Sequence, residues 1–210
     1  MNDNYHFNVK RKRPEEIYNK VSDYFRGEIL KQYARSKSMM KIQEKITIRA
    51  LELLNLKKKD ALILDAGSGP GFTAIYLNEI GYKTVALDII SEFLNFYNMK
   101  DLNPIAADMC FSPFKPNTFD AIISISALQW IYRDLMHDYM QSMLKELSKS
   151  FYHILKPNSN IIIQFYPKSK EIMDKIAKTI IKSTDFSGNF IIDNPNSNKK
   201  RKIYLLLSKQ

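Results

Sequence analysis

Short apolar runs alternate with helical patterns along most of this chain. Apolar residues at positions 39, 42, 46, 50, 53 and 54 have the spacing of one helix face. Further helices are predicted at 71–80, 91–98, 133–154 and about 169–183. The predicted strands are ALILDAG at 61–67, TVALD at 84–88, PIAA at 104–107, AIISIS at 121–126 and NIIIQFY at 160–166. Apolar strands separated by helices predict a parallel sheet with helices on both faces.

The end of the chain breaks this alternation. Two apolar runs, FIID at 190–193 and IYLLLS at 203–208, are joined by polar residues and follow each other without an intervening helix. Such closeness predicts a terminal antiparallel hairpin. The pattern as a whole therefore predicts an α/β fold, with a mostly parallel sheet and a C-terminal antiparallel hairpin.

The length of 210 residues favours one α/β domain over two large ones. Residues 1–13 contain KRKR and no apolar periodicity, so we expect a flexible basic arm that either contacts phosphates or is simply solvated. Residues 14–60 are expected to form a helical cap. Residues 61–210 are expected to form the main domain.

Charge and cysteine content narrow the possible partners and surroundings. Formal net charge is +10, from 32 Lys and Arg against 22 Asp and Glu, which favours a polyanion such as RNA or an anionic membrane surface. No apolar window is long enough for a transmembrane helix, and the N-terminal residues do not resemble a signal peptide. The single cysteine, Cys110, excludes a disulfide within the chain and a cysteine-rich zinc site. We therefore expect an intracellular, cytoplasmic protein without a metal site.

A glycine-rich loop, DAGSGPG at 65–71, lies where the first strand turns into a helix. Glycines allow a tight turn and close approach of a ligand to the backbone. The third glycine comes one residue earlier than in the dinucleotide fingerprint, which disfavours a nicotinamide cofactor. Asp65 suits a ligand with an ammonium group, because a carboxylate repels phosphates. The expected cofactor contacts in this loop are Asp65, Gly67, Ser68, Gly69 and Gly71.

Two more aspartates end the second and third strands. Asp88, followed by Ile89, is placed to accept hydrogen bonds from ribose hydroxyls, and Asp108, followed by Met109, can meet an adenine amine. Each aspartate by itself is also a common cap or turn residue. Together with the glycine loop they indicate S-adenosylmethionine as the cofactor.

This pattern resembles the class I S-adenosylmethionine-dependent methyltransferases, a resemblance that implies a Rossmann-like, seven-stranded, mostly parallel sheet. The chain further resembles the small-subunit ribosomal RNA (guanine-N7)-methyltransferase family, a ribosome-biogenesis family found in yeast and human. The stretches that carry this closer resemblance are PEEIYN at 14–19, RALELLNL at 49–56, FDAIISISALQW at 119–130, QFYP at 164–167 and FSG at 186–188, followed by DNPNS and KIYLLLS.

The chain also departs from the family pattern. GSGPG replaces a cysteine-containing loop, DMCFSPF at 108–114 is short, and Ser38 stands where an arginine is expected. The basic C-terminal extension of the eukaryotic members does not follow Gln210, which suggests a compact, archaeal-type member.

The family's reaction explains why SISALQW at 124–130 has no acid, base or nucleophile pair. N7 of guanine carries no proton, so its methylation needs alignment and no general base. The resemblance implies that Ser124 lies near the methionine end of the cofactor. It also implies that Gln129, Trp130 and Tyr166 (or Phe165 in place of Tyr166) position the base. Trp130 can alternatively be a core aromatic.

Several partners follow from the same resemblance. Small-subunit rRNA or its precursor particle is the expected substrate, with KRKR at 10–13, Lys57–Lys59 and NKKRK at 198–202 as candidate phosphate contacts. A small zinc-ribbon activator protein is expected to dock on the strand at 104–107. A small-molecule methyltransferase, or a ribosome-assembly factor whose methyl transfer is dispensable, remain alternatives.

Overall fold

The computed structural model describes residues 12–58, 60–97, 102–197 and 200–210. In these ranges seven strands form one sheet: β1 (Leu62–Ala66), β2 (Lys83–Asp88), β3 (Asn103–Ala106), β4 (Phe119–Ile125), β5 (Leu155–Phe165), β6 (Ser187–Asp193) and β7 (Lys202–Lys209). The α-helices of the same ranges are α1 (Pro14–Ile17), α2 (Val21–Tyr24), α3 (Gly27–Ala34), α4 (Lys37–Leu54), α5 (Phe72–Glu79), α6 (Leu128–Ile131), α7 (Asp138–Ile154) and α8 (Lys170–Ser183).

The strand order is β3-β2-β1-β4-β5-β7-β6. Strands β1 to β5 are parallel, whereas β7 runs antiparallel to both β5 and β6. The mostly parallel sheet with a terminal hairpin is therefore confirmed. Strands β2 and β3 are added on one side of β1, and β4 and β5 on its other side. The connections on the two sides of β1 therefore run in opposite directions, which opens a crevice at the carboxyl ends of β1 and β4, where ligands bind in such folds.

Helices cover both faces of the sheet. On β4, Ile122 packs into the core under α7 and α8, whereas its neighbour Ile123 packs into the core under α4. Successive strand residues point to opposite faces, so a run without polar residues is what burial on both faces requires. The predicted double-sided sheet is thus built from largely apolar strands, with polar residues mainly near the strand ends.

The predicted helix at 133–154 begins later than expected, because α7 starts at Asp138. Residues 132–137 form a loop in which Asp134 Oδ1 accepts a hydrogen bond from the Met136 backbone N–H, 3.0 Å away. Tyr132 at its start is buried, but Leu135 is 40% and Met136 90% exposed, so residues 133–137 have no apolar face to bury. A helix there would lack the packing that stabilises helices. The predicted helix at 91–98 is a 3₁₀ helix at Ser91–Phe96.

Helix α4 starts at an N-cap, Ser36, whose hydroxyl accepts from the Met39 N–H. Its residues Ile46, Ala50 and Leu54 are buried in the core that they share with the sheet. The division of the chain at residue 60 stays a prediction. Residues 1–11 of the predicted basic arm lie outside the described ranges. No helix in those ranges is both long enough and apolar enough to cross a bilayer.

Candidate functional site

A cavity of about 830 Å³ lies where the carboxyl ends of β1, β2 and β4 meet. Nine of the residues singled out from the sequence line it: Asp65, Gly67, Ser68, Gly69, Asp88, Ile89, Asp108, Met109 and Trp130. The topology thus brings the glycine loop and the aspartates of three strands to one place. Their contacts with a cofactor stay predictions.

The glycine loop is held close to its neighbours. A Cβ atom on Gly67 would lie 2.5 Å from Ala127 Cβ, and one on Gly71 would lie 2.4 Å from the Tyr97 ring. Both glycines have positive φ angles, 77° and 88°, which other residues rarely adopt. Gly71 does not line the cavity; it precedes α5 and packs under Tyr97, whose hydroxyl donates to Ser68 Oγ, 2.8 Å away. Gly71 therefore has a packing role, and its expected ligand contact stays a prediction.

The carboxyl group of Asp65 is buried in the site and lacks a full set of hydrogen-bond donors. Its side chain is 1% exposed, and its Oδ2 atom has no hydrogen-bond partner among the described residues. Burial raises the pKa of this carboxyl to about 8, while the Ala74 N–H opposes the shift and Asp88 adds to it. A buried carboxylate without a partner is costly, so a cationic group beside it would be stabilised. The ammonium of S-adenosylmethionine fits this position.

Asp88 is also buried but has donors. Its two oxygens accept hydrogen bonds from Gly69 N–H at 2.7 Å and Ile90 N–H at 2.8 Å. Burial raises the pKa of the carboxyl, and these backbone donors oppose the rise. A carboxylate has about four acceptor positions, so these donors do not use up its capacity to accept from a ligand hydroxyl. The residue therefore fits the predicted ribose contact.

Asp108 combines the two alternatives considered for it. Its Oδ1 accepts from the Cys110 N–H, 2.9 Å away, and so caps the 3₁₀ helix Met109–Phe111, yet the residue also lines the cavity. Cys110 is buried, and burial raises the pKa of its thiol. The thiol is therefore protonated near neutral pH and is a poor nucleophile.

The loop after β4 places its serines differently from the prediction. Ser124 is 2% exposed and does not line the cavity, whereas Ser126 and Ala127 do. Because strand residues alternate between faces, Ser124 shares the face of Ile122, under α7 and α8. Ser126 therefore occupies the serine position at the cavity, and the expected contact of Ser124 with the methionine end stays a prediction.

Ser126 has a left-handed backbone with φ of 59° and is held on every side. Its N–H donates to the Gln164 carbonyl at 2.8 Å, its hydroxyl to Gln164 Oε1 at 3.0 Å, and its carbonyl accepts from Gln129 Nε2 at 2.8 Å. Strained backbone of this kind persists where surrounding structure fixes it. Gln129 is not among the residues that line the cavity, and its side chain holds this loop; its predicted role in positioning the base stays a prediction.

Tyr166, like Gln129, is not among the residues that line the cavity. Its hydroxyl shares hydrogen bonds with Ser126 and Gln164, and burial raises its pKa. Two cations lie near its ring centroid, Arg13 at 5.7 Å and Lys202 at 5.6 Å. Tyr166 thus supports the Ser126 loop, and its predicted stacking on a base stays a prediction. Phe165, the alternative, is 1% exposed and belongs to the core.

Trp130 faces the cavity beside an aromatic wall from the N-terminal helices. Its ring lies 6.0 Å from Tyr24 and 6.1 Å from Phe25, measured between centroids. Phe25 and Tyr33 also line the cavity. The sequence analysis missed this wall and Gln164, although the aromatic residues between 18 and 33 and the letter Q of QFYP were visible signals.

The basic segments fall at opposite ends of the sheet. Lys57–Lys59 precede β1 at its amino end, where Lys58 is paired with Asp120; Lys59 is outside the described residues. The β6–β7 connection lies at the carboxyl edge, because β6 is antiparallel to β7, which is antiparallel to β5. Of NKKRK, residues 200–202 are described and 198–199 are not. The hairpin connection is therefore on the cavity side, and the lysine turn is not.

Comparisons with known proteins agree with this arrangement. Residues 64–163 match a family described as a methyltransferase domain. A solved putative S-adenosyl-L-methionine-dependent methyltransferase of Methanococcus maripaludis is similar in fold, with a TM-score of 0.62 at 16% identity, over 87% of this chain and 93% of that one.

Closer relatives are found among curated proteins. An 18S rRNA (guanine-N(7))-methyltransferase of Bos taurus is 36% identical over 201 residues, covering 92% of this chain and 68% of the relative. The protein of the same name in Mus musculus is 34% identical over 203 residues, covering 94% and 72%. The chain belongs to the 18S rRNA (guanine-N7)-methyltransferase family.

Proposed function

We propose that this protein is an S-adenosylmethionine-dependent methyltransferase that modifies N7 of a guanine in small-subunit ribosomal RNA. The observation that carries the proposal is Asp65, a buried carboxylate with an unpartnered oxygen in the cavity of a chain from this family. Such a group selects a ligand with a positive charge next to the glycine loop.

The residues of the chain bind and align the two reactants. When bound, S-adenosylmethionine supplies an electrophilic methyl group on a sulfonium. Asp65 would hold the ammonium group, Asp88 the ribose and Asp108 the adenine end. Guanine N7 has a free lone pair and no proton, so no side chain has to act as a base. Alignment alone can lower the barrier by about 7–11 kcal/mol.

The base would enter between the cofactor and the aromatic wall. Trp130 lines the cavity and is supported by Tyr24 and Phe25. Stacking of one base on an aromatic ring contributes about 1–3 kcal/mol. The ring face also favours the positive charge that guanine gains when N7 is methylated. Trp130 would thus favour both the bound base and the methylated product.

The decisive experiment uses labelled S-adenosylmethionine and purified small-subunit rRNA, followed by borohydride and aniline cleavage at N7-methylguanine. We expect label in the intact RNA and a single cleavage site with the wild-type protein, and neither with Asp88→Ala. Lys182→Gln is the control and should keep full activity, because Lys182 is exposed near the C-terminal end of α8 and does not line the cavity. Label in a metabolite extract and not in RNA would instead support a small-molecule methyltransferase.

We also propose that a small zinc-ribbon activator protein adds a strand to the free edge of β3. What supports this is the place of β3 at one end of the sheet, with β2 on its other side. Two exposed apolar side chains follow the carboxyl ends of β2 and β3: Ile89 is 54% exposed and Phe111 is 61% exposed. Exposed edges promote association. A monodisperse isolated chain that forms no complex on mixing, in size-exclusion chromatography, would contradict this proposal.

A further inference from the structure

Charges of opposite sign are separated within the cavity. Asp65, Asp88 and Asp108 lie at its floor, at the carboxyl ends of the strands. Arg133 and Lys20 line the same cavity from the loop after α6 and from the N-terminal segment. The floor suits a cation, and the cationic rim suits an anion.

Arg133 is held in place but keeps most of its donors. Its Nη1 donates to the Trp130 carbonyl at 3.3 Å and its Nη2 to the Tyr18 carbonyl at 3.5 Å. A guanidinium has five N–H donors, so about three remain. Among the described residues no carboxylate lies within ion-pair distance of Arg133, and the adjacent Asp134 accepts from the Met136 N–H. The guanidinium is therefore oriented and available.

Lys20 follows Tyr18 by two residues, and the Tyr18 carbonyl accepts a hydrogen bond from Arg133. Its side chain is exposed and forms no ion pair within the described ranges. Some cations elsewhere are paired: Lys168, for example, lies 3.8 Å from Glu16. Lys20 and Arg133 differ from these because both line the cavity and neither has a carboxylate partner among the described residues.

We propose that Arg133 and Lys20 form a phosphate subsite that binds the phosphodiester next to the target guanine. The inference rests on the proposed function and deepens it. Arg133 is bonded to the carbonyl of Trp130, so the group that stacks on the base and the group that holds its phosphate are linked. Guanidinium groups bind phosphate oxygens in a fork, and an ammonium adds a point charge. A methyl acceptor without phosphates would leave both cations without a partner.

The first test measures binding and does not depend on methyl transfer. A short single-stranded oligoribonucleotide with one guanine is titrated into the protein saturated with S-adenosylhomocysteine, and fluorescence anisotropy is recorded at several salt concentrations. We expect Arg133→Ala to weaken binding roughly tenfold and to lower the salt dependence by about 0.7 per lost contact. Lys20→Gln should lower the salt dependence similarly. Lys182→Gln should change neither quantity.

The second test removes the charge from the ligand. Neutral methylphosphonate linkages replace the phosphates on both sides of the guanine. The wild-type protein should lose about as much affinity as Arg133→Ala loses for normal RNA. Neutral linkages should lower the affinity of Arg133→Ala only slightly, because this variant no longer contacts the phosphate. The loss of affinity for Arg133→Lys should lie between the losses for the wild type and for Arg133→Ala.

The phosphate subsite would be overturned if the losses of affinity from Arg133→Ala and from the neutral linkages were additive. It would also be overturned if the neutral linkages did not change the affinity of the wild type. Affinity for S-adenosylhomocysteine, measured by calorimetry, should be the same in wild type and Arg133→Ala, which shows that the variant folds. Should the variant not fold, the neutral linkages still decide the question with wild-type protein. RNA that binds at the subsite but is never methylated would contradict the proposed function and leave the subsite in place.

Discussion

Asp65 and Asp120 stand on neighbouring strands at opposite ends of the sheet. Asp120, at the amino end of β4, is bonded to Lys156 at 2.8 Å, to Lys58 at 3.3 Å and to the Leu62 N–H at 2.9 Å. Despite some burial, these donors hold its pKa below the usual range. Asp65, at the carboxyl end of β1, has an oxygen without a partner and a pKa raised to about 8.

The difference separates a structural role from a functional one. At the amino end the protein supplies partners for its own charge, and the ion pairs connect strands and loops. At the carboxyl end a carboxyl group is buried without sufficient partners, so without a ligand it favours the protonated form, and a bound cationic group would stabilise the carboxylate. Perturbed acids in a cavity are typical of functional sites for this reason.

The largest expected effect comes from Asp65→Asn, which keeps the shape and removes the charge. Loss of one partner from a buried charge pair costs about 2–5 kcal/mol, so affinity for S-adenosylmethionine should fall roughly 100-fold. Calorimetric titration measures this directly. Unchanged affinity would mean that Asp65 does not contact the ammonium group. It would contradict the functional role assigned to Asp65 in the comparison with Asp120.

The pH dependence of stability should differ in sign between the two acids. Because the pKa of Asp65 is raised in the fold, its contribution to the free energy of unfolding is fully present below pH ~4 and is lost as pH rises through about 8. The unliganded wild type should therefore lose stability relative to Asp65→Asn over this window. Denaturant unfolding at pH 5, 7 and 9 measures the difference, and a difference that stays constant would contradict the raised pKa.

Gln164 lies at the carboxyl end of β5 but, unlike Asp65, has hydrogen-bond partners within the protein. It therefore tests whether every polar group at this end of the sheet affects cofactor binding. Gln164 holds Ser126 through two hydrogen bonds and is fully buried. Gln164→Ala should lower kcat about tenfold, since a net hydrogen bond of about 1 kcal/mol is lost and the loop beside Trp130 shifts. Affinity for S-adenosylmethionine should change much less. Steady-state kinetics combined with calorimetry separates the two, and equal losses in both would indicate general unfolding of the site.

Asp120→Asn should have the smallest effect. Partly exposed ion pairs contribute roughly 0–1 kcal/mol each, so the free energy of unfolding at pH 7 should fall by about 1 kcal/mol. The lowered pKa means that this contribution exists above the usual carboxylate pKa and disappears as pH falls below it. Cofactor affinity should not change. A measurable loss of affinity would show that the two ends of the sheet are coupled.

The sequence by itself determined the architecture and much of the cavity floor. Apolar runs of strand length can be buried only between two layers of helices, and acids that follow parallel strands necessarily meet at one edge. Asp65, Asp88 and Asp108 could thus be placed together before any coordinates. Family membership also followed, because stretches such as SISALQW and QFYP are specific.

Tertiary structure decided which side chains face the cavity. Ser124 lies within β4 and is buried, whereas Ser126 follows the strand with a left-handed backbone and lines the cavity. The Gln129 side-chain amide donates to the Ser126 carbonyl. Strand alternation predicts faces only while the strand lasts. The aromatic wall and Arg133 come from segments distant along the chain, whose meeting depends on packing between the N-terminal helices and the loop after α6. No local pattern encodes such contacts, because they depend on the three-dimensional path of both segments.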